Sequence, residues 1–204
     1  MKKTAGVRVA AIVLAAGAAS RMGKLKQLLP YGGQTLVEHA VGQAAQAGFA
    51  PVIVVVGAEA QEVRAALASA QVEIVANEEW RLGMGSSLAA GARRLEEMDA
   101  DWAAVAVLLA DQPLVRAEHL REMWELLKGG TAKAVAAQYN GTLGVPALFR
   151  REMIGALVSL APGAGAQRLL RDSGKEIAAF ALPEAALDID TPEDFVALEA
   201  RRSG

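Results

Sequence analysis

The stretch VAAIVLAAGAASRMGKLK, Val9 to Lys26, joins a continuous apolar run to a loop of small residues, Gly17, Gly23 and the cations Arg21, Lys24 and Lys26. Val9 to Leu14 reads as a strand buried on both faces, the pattern of a parallel sheet covered by helices on either side. The loop that follows is not a P-loop: that motif needs four residues between its glycines and then Lys with Ser or Thr. Here five residues separate Gly17 from Gly23, and Lys24 is followed by Leu25. A dinucleotide fingerprint fails as well, because no third glycine opens a helix. From the residues alone the loop is either a solvated turn or a phosphate cradle. In a cradle, glycines let backbone N–H groups approach a ligand while Arg and Lys neutralise its charge.

Working outward, the same alternation repeats. Thr35 and Glu38 have the form of a capping box and open a helix that closes at Gly48. Pro51 to Gly57 is a second buried strand, followed by an Ala-rich helix from about Glu59 to Ser69 and a short strand, Val72 to Val75. A loop from Asn77 to Gly85 leads to a helix capped by Ser86 or Ser87 and running to about Glu97. Ala103 to Leu109 is a further strand, with Asp111 just past its end, and Arg116 to Lys128 is a helix stopped by Gly129 and Gly130. Beyond it come strands near 134–138, 145–149 and 177–181 with two short helices between, then a final helix with Thr191 as cap and Pro192 as first helical residue. Alternating strands and helices of these lengths predict a three-layer α/β/α sandwich with a mostly parallel sheet. The 204 residues fit one domain, 1–204.

Composition sets limits on function. Lys plus Arg number 21 against 23 Asp plus Glu, a net charge of -2, so the basic excess of nucleic-acid binding is missing. Cysteine is absent, which removes disulfides, cysteine zinc sites and a thiol nucleophile, and suits a cytoplasmic location. The N-terminal segment superficially resembles a secretory signal, but Arg8 interrupts its apolar stretch. No apolar run reaches the roughly 20 residues of a membrane span. A soluble chain is expected.

In such a sheet, ligands sit beyond the carboxyl ends of the strands. Asp111, a lone carboxylate after an apolar strand, suits Mg²⁺, which takes one or two protein carboxylates together with substrate phosphate oxygens; it equally suits a turn before Pro113. Asp188 and Asp190 offer a second carboxylate or a helix cap. His39 and His119 lack partners at metal-ligand spacing. Trp80 either stacks on a base or anchors its loop, and Trp102 and Trp124 read as core or half-core residues.

LAAGAASRMGKLKQLLPYGGQTLVEH, from Leu14, resembles the signature of nucleotidyltransferases of the molybdenum cofactor guanylyl- and cytidylyltransferase type, in the MobA-like NTP transferase family with its Rossmann-like sheet. LLADQP and DIDTPEDF are similar to that family's metal-site segments, and NEEWRLGMGSSLAAG resembles the cytidylyltransferase branch. The resemblance implies a nucleotide-binding half over about 8–115 and an acceptor half over about 116–204. It makes Leu14, Ala15, Ala16 and Gly17 contacts to the nucleotide, puts Arg21 and Lys26 on the triphosphate as catalytic cations, and places Gly83, Gly85 and Ser86 at base and ribose. Asp111 becomes the principal Mg²⁺ ligand, with Mn²⁺ as a substitute, and Asp190 the second. Ala16 within LAAG resembles enzymes that take CTP. The implied reaction transfers CMP from CTP to the phosphate of molybdopterin, with a molybdenum hydroxylase as possible recipient of the product. Two segments depart from the family pattern: LGVPALF has Val145 where a His is usual, and APGAGAQRLL lacks the usual Asp and Arg across Ala164 to Gln167, with Arg168 one residue on. These departures raise a sugar or alditol phosphate as an alternative acceptor. A delivery module without catalysis is a third reading, opposed by the presence of Lys26, Asp111 and Asp190.

Overall fold

The computed structural model describes residues 8–17, 25–57, 60–98, 101–189, 191, 194–196 and 198. Strand β1, Val9–Ala15, is buried along its whole length. Its residues alternate between two cores, as a strand's period of two requires. Val9, Ala11, Val13 and Ala15 face a layer formed by α1 (Leu36–Gln46), α2 (Ala60–Ala66) and α4 (Ala117–Gly129). Ala10, Ile12 and Leu14 face α3 (Met84–Glu97), α5 (Ile154–Val158) and α6 (Ala166–Ser173). The expected three layers are present.

Seven strands form the central sheet, in the order β5 (Glu73–Ala76), β4 (Val52–Val56), β1, β6 (Ala104–Leu109), β8 (Thr142–Arg150), β7 (Ala134–Tyr139), β9 (Ile177–Ala181). All run parallel except β8, which is antiparallel to both neighbours. From β1 the chain adds β4 and then β5 on one side, and returns through α3 to lay β6 on the other. The strand order therefore reverses between β1 and β6, whose carboxyl ends splay into a crevice.

The capping box at α1 is complete: the Glu38 carboxylate accepts from Thr35 N–H at 2.7 Å, and Thr35 Oγ1 accepts from Glu38 N–H at 3.3 Å. At the last helix Thr191 and Asp194 exchange the equivalent bonds, at 2.8 and 3.2 Å, so Thr191 is the cap as expected; Pro192 lies outside the described residues. Helix α3, by contrast, begins at Met84, ahead of the expected serine caps. Gly83 enters with φ +120°, a conformation that side chains other than hydrogen rarely adopt, and the helix starts there. Ser86 and Ser87 then fall inside the first turn. Strand β8 likewise starts earlier than expected, because Asn140 and Gly141, both at positive φ, turn β7 directly into it as a hairpin. A small hairpin, β2 (Pro30–Tyr31) with β3 (Gln34–Thr35), also goes beyond the expected elements.

His39 has a structural partner set. Its Nε2 is 3.0 Å from Pro113 O, and its Nδ1 is 3.1 Å from Gln34 Nε2. A carbonyl only accepts, so Nε2 carries the proton and Nδ1 accepts. Burial lowers the pKa of the ring, against the smaller opposing effect of the Pro113 carbonyl. Trp102 is buried, as read from the sequence.

Gly91 sets how closely α3 lies on the sheet. A Cβ there would come within 2.8 Å of Ile12 Cγ2 and 2.9 Å of Val55 Cγ2. Gly91→Val is expected to overpack this contact and cost about 1–3 kcal/mol, read as a lowered urea midpoint with an unchanged slope. An unchanged or raised midpoint would show that the layer can separate freely.

Candidate active site

The crevice between β1 and β6 holds a cavity of about 340 Å³. Its floor is the end of β1 and the following residues, Leu14 to Gly17, with Leu109 at the end of β6 and Ala110 just past it. Lys26 and Asp111 both line the cavity and are joined in an ion pair. Their side chains are only 22% and 15% exposed, so the pair is less screened than a surface bridge. Gln27 fixes the segment that carries Lys26. It is buried, and its Nε2 lies 3.3 Å from both the Ala15 and Gly17 carbonyls, which binds the 26–28 turn to the strand end.

The opposite wall comes from the other layer: Trp80, Arg81, Gly83, Met84 and Ser87. Asn77 organises it from beneath. Its amide donates to Ser86 Oγ at 2.9 Å and Ser87 Oγ at 3.0 Å, while its Oδ1 accepts from Glu79 N–H at 3.0 Å. Ser86 is buried, with its hydroxyl 2.8 Å from the Gly83 carbonyl. Gly85 packs on the 161–164 turn, where a Cβ would meet the Ala161 and Ala164 carbonyls. Gly85 and Ser86, expected at base and ribose, do not line the cavity and pack behind its wall. Gly83 lines the cavity, and Ser87, Trp80 and Arg81 do so in addition. Arg21 and Asp190 lie outside the described residues.

A second cavity of about 560 Å³ adjoins the first and shares Met84 and Leu109 with it. Tyr139, Val145 and Asp188 line it, facing Ala164 ahead of α6 and Gln167, Arg168 and Arg171 within it. Its shape originates in β8. The β6 ladder reaches only Ala147, and the register with β7 slips from Ala136↔Ala147 to Ala137↔Gly144, which leaves Val145 and Pro146 bulged out. A bulge is where an interior strand tolerates a residue without an N–H donor. Gln112, buried and next to Asp111, fills the parted ladder: its Nε2 donates to Val145 O at 3.2 Å and Ala185 O at 2.8 Å. Tyr139 donates to the same Val145 carbonyl at 3.1 Å, and its pKa is raised by burial first and by the Asp188 charge second. The turn bearing Asp111 is thus tied directly to the wall of the second cavity.

Among the described residues no group of three or more His, Asp and Glu side chains forms a metal cage, and no helix is long and apolar enough to cross a membrane. One carboxylate in a cavity, with room for phosphate oxygens and water, is the donor set that suits Mg²⁺ or Mn²⁺ carried in with a substrate. The backbone of Ile189 donates to Asp111 O at 3.1 Å, which holds the 187–189 segment beside Asp111.

The pattern of the MobA-like NTP transferase domain matches residues 11–177. Over 106 residues the chain is 42% identical to nicotine blue oxidoreductase of Paenarthrobacter nicotinovorans, an alignment covering 52% of this chain and 50% of that one. Over 148 residues it is 37% identical to the bifunctional protein GlmU of Anaeromyxobacter dehalogenans, covering 70% of this chain and 29% of the relative. The chain thus spans half or less of the length of these curated relatives. Among solved structures, Rv0371c of Mycobacterium tuberculosis superposes with a TM-score of 0.79 at 29% identity, over 94% of this chain and 97% of that one. The same protein has also been solved in complex with manganese.

Proposed function

This chain belongs to the MobA-like NTP transferase domain family, and from that premise we propose that it is a nucleotidyltransferase that transfers CMP from CTP to the phosphate of molybdopterin. The observation that carries this reading is the Lys26–Asp111 pair in a strand-end cavity that opens beside a second cavity. The nucleotide lies in the first cavity, in the half spanning about 8–115, with its phosphates over Gly17 and Lys26. The acceptor enters the second, in the half spanning about 116–204. An oxygen of the acceptor phosphate attacks the α-phosphorus in line; the new P–O bond forms as the bond to pyrophosphate breaks. Lys26 takes up charge developing on the α-phosphate, and the fixed backbone at 15–17 orients the triphosphate. Arg21 would add a second cation. Asp111, with Asp190 as its partner, would hold Mg²⁺ or Mn²⁺, which supplies neutralisation of phosphate charge; the manganese complex of Rv0371c supports a divalent ion. Ala16, which narrows the nucleotide end by a methyl group, supports CTP over GTP. The absence of cysteine fits a cytoplasmic setting, where the product could pass to a molybdenum hydroxylase.

Val145 and the Ala164 to Gln167 segment favour a second reading of the acceptor, a sugar or alditol phosphate, since these departures line the second cavity. Incubation with labelled NTPs, Mg²⁺ and either molybdopterin or a library of phosphomonoesters separates the two. Pyrophosphate release only with molybdopterin, fastest with CTP, is the expected result. Release with a sugar phosphate alone moves the acceptor, and tight molybdopterin binding without release under any NTP makes the chain a delivery protein. A further arm, with nicotine blue as the substrate, tests for the oxidoreduction named for the Paenarthrobacter relative.

A further inference from the structure

The nucleotide cavity holds another cation that the transfer chemistry leaves without a task. Arg81 lines it from the side opposite Lys26: the turn bearing Lys26 packs on α1 and α2, whereas the Trp80–Leu82 turn packs on α3 across the sheet. The Arg81 guanidinium lies 4.6 Å over the centroid of the Trp80 ring. Among the described residues no carboxylate forms an ion pair with it, so stacking orients its plane without consuming its N–H donors. The platform beneath is itself fixed. A Cβ on Gly57 would come within 2.8 Å of Trp80 Cβ and Cγ and 2.7 Å of Ala16 O, so Trp80 is seated against Gly57, just past the end of β4, with no space there for a side chain. With phosphate and metal chemistry at the Lys26–Asp111 end, the Trp80 end is left for the base.

We infer that Arg81 is a base-reading residue that selects nucleotides by hydrogen-bond pattern. This rests on the transferase reading. A guanidinium fork only donates, so it pairs with an edge presenting two adjacent acceptors. Cytosine offers O2 and N3, and guanine O6 and N7. Uracil puts an N–H beside its carbonyl, and adenine an amino group beside N7, so each turns a donor toward a donor. Arg81 separates C and G from U and A; the Ala16 methyl then acts on ring size within the favoured pair.

The test is calorimetric binding of CTP, GTP, UTP and ATP with Mg²⁺, without acceptor, to the wild type, Arg81→Gln and Arg81→Lys, with inorganic tripolyphosphate as a base-free probe. The wild type is expected to bind CTP and GTP more tightly than UTP and ATP. Arg81→Gln should weaken CTP by roughly 10- to 100-fold, the discrimination of one bidentate contact, and leave UTP and tripolyphosphate unchanged. Arg81→Lys should not restore it, because an ammonium lacks the fork. Equal weakening of every nucleotide and of tripolyphosphate would make Arg81 a phosphate ligand and overturn the inference, as would a wild type that binds NTPs without base preference. A wild type that binds no NTP at all overturns the transferase reading along with it.

Discussion

An Asp111→Asn variant is expected to transfer nucleotide roughly 10²- to 10³-fold more slowly than wild type, the usual loss when a group stabilising transition-state charge is removed. Asparagine keeps the volume and removes the negative charge. The cavity wall, the Gln112 bonds to Val145 and Ala185, and the Ile189 bond to the Asp111 carbonyl are all retained. Thermal stability should fall by about 1–3 kcal/mol, because a mostly buried ion pair loses one of its two charges while the fold around it is kept. Mn²⁺ binding, followed by electron paramagnetic resonance, should fall along with kcat. Full activity in this variant would remove Asp111 from the metal site.

Replacing Lys26 separates two effects that share one residue. Lys26→Met keeps the length of the side chain and removes its charge, and kcat is expected to drop about 10²-fold through lost stabilisation at the α-phosphate. Binding of Mn²⁺ without nucleotide should change in the opposite direction and tighten by roughly tenfold, because Asp111 loses the cation now paired with it. The two readouts distinguish this from simple damage to the fold, which would weaken both. Unchanged metal binding would show that the ion pair does not compete with the ion.

The sheet was legible because Val9–Leu14 and Val52–Val56 are apolar on both faces, a pattern that admits only cover by helices on each side. Asp111 was legible as a candidate, because a carboxylate just past a buried strand falls beside the strand-end crevice, and there it lines the cavity. What the sequence hid depended on contacts between distant segments. Ser86 reads as a helix cap by local rule, yet Asn77, nine residues earlier, claims its hydroxyl from below, and Gly83 starts the helix. Gln112 carries no reading of its own in the sequence, and its task at Val145 exists only because β8 leaves the β6 ladder at Ala147. Arg81 carries no local signal at all; it becomes conspicuous only when Trp80 is seen seated on Gly57. The Asn140–Gly141 turn, in contrast, is readable from the dipeptide alone.

The fit of Gly85 against the 161–164 turn bears on how such a site diversifies. The contact is between backbones: the first turn of α3 meets the Ala161 and Ala164 carbonyls, and Ser86 N–H donates to Pro162 O at 3.2 Å. Side chains at 164, 167, 168 and 171 face the second cavity and take no part in it. On the proposed assignment of the two cavities, acceptor preference can drift through those side chains while the wall of the first cavity stays where it is. An insertion or deletion in the turn would move both walls at once. In this architecture, exchanging specificity between relatives calls for point substitutions along α6, and a loop graft would have to bring the start of α3 with it.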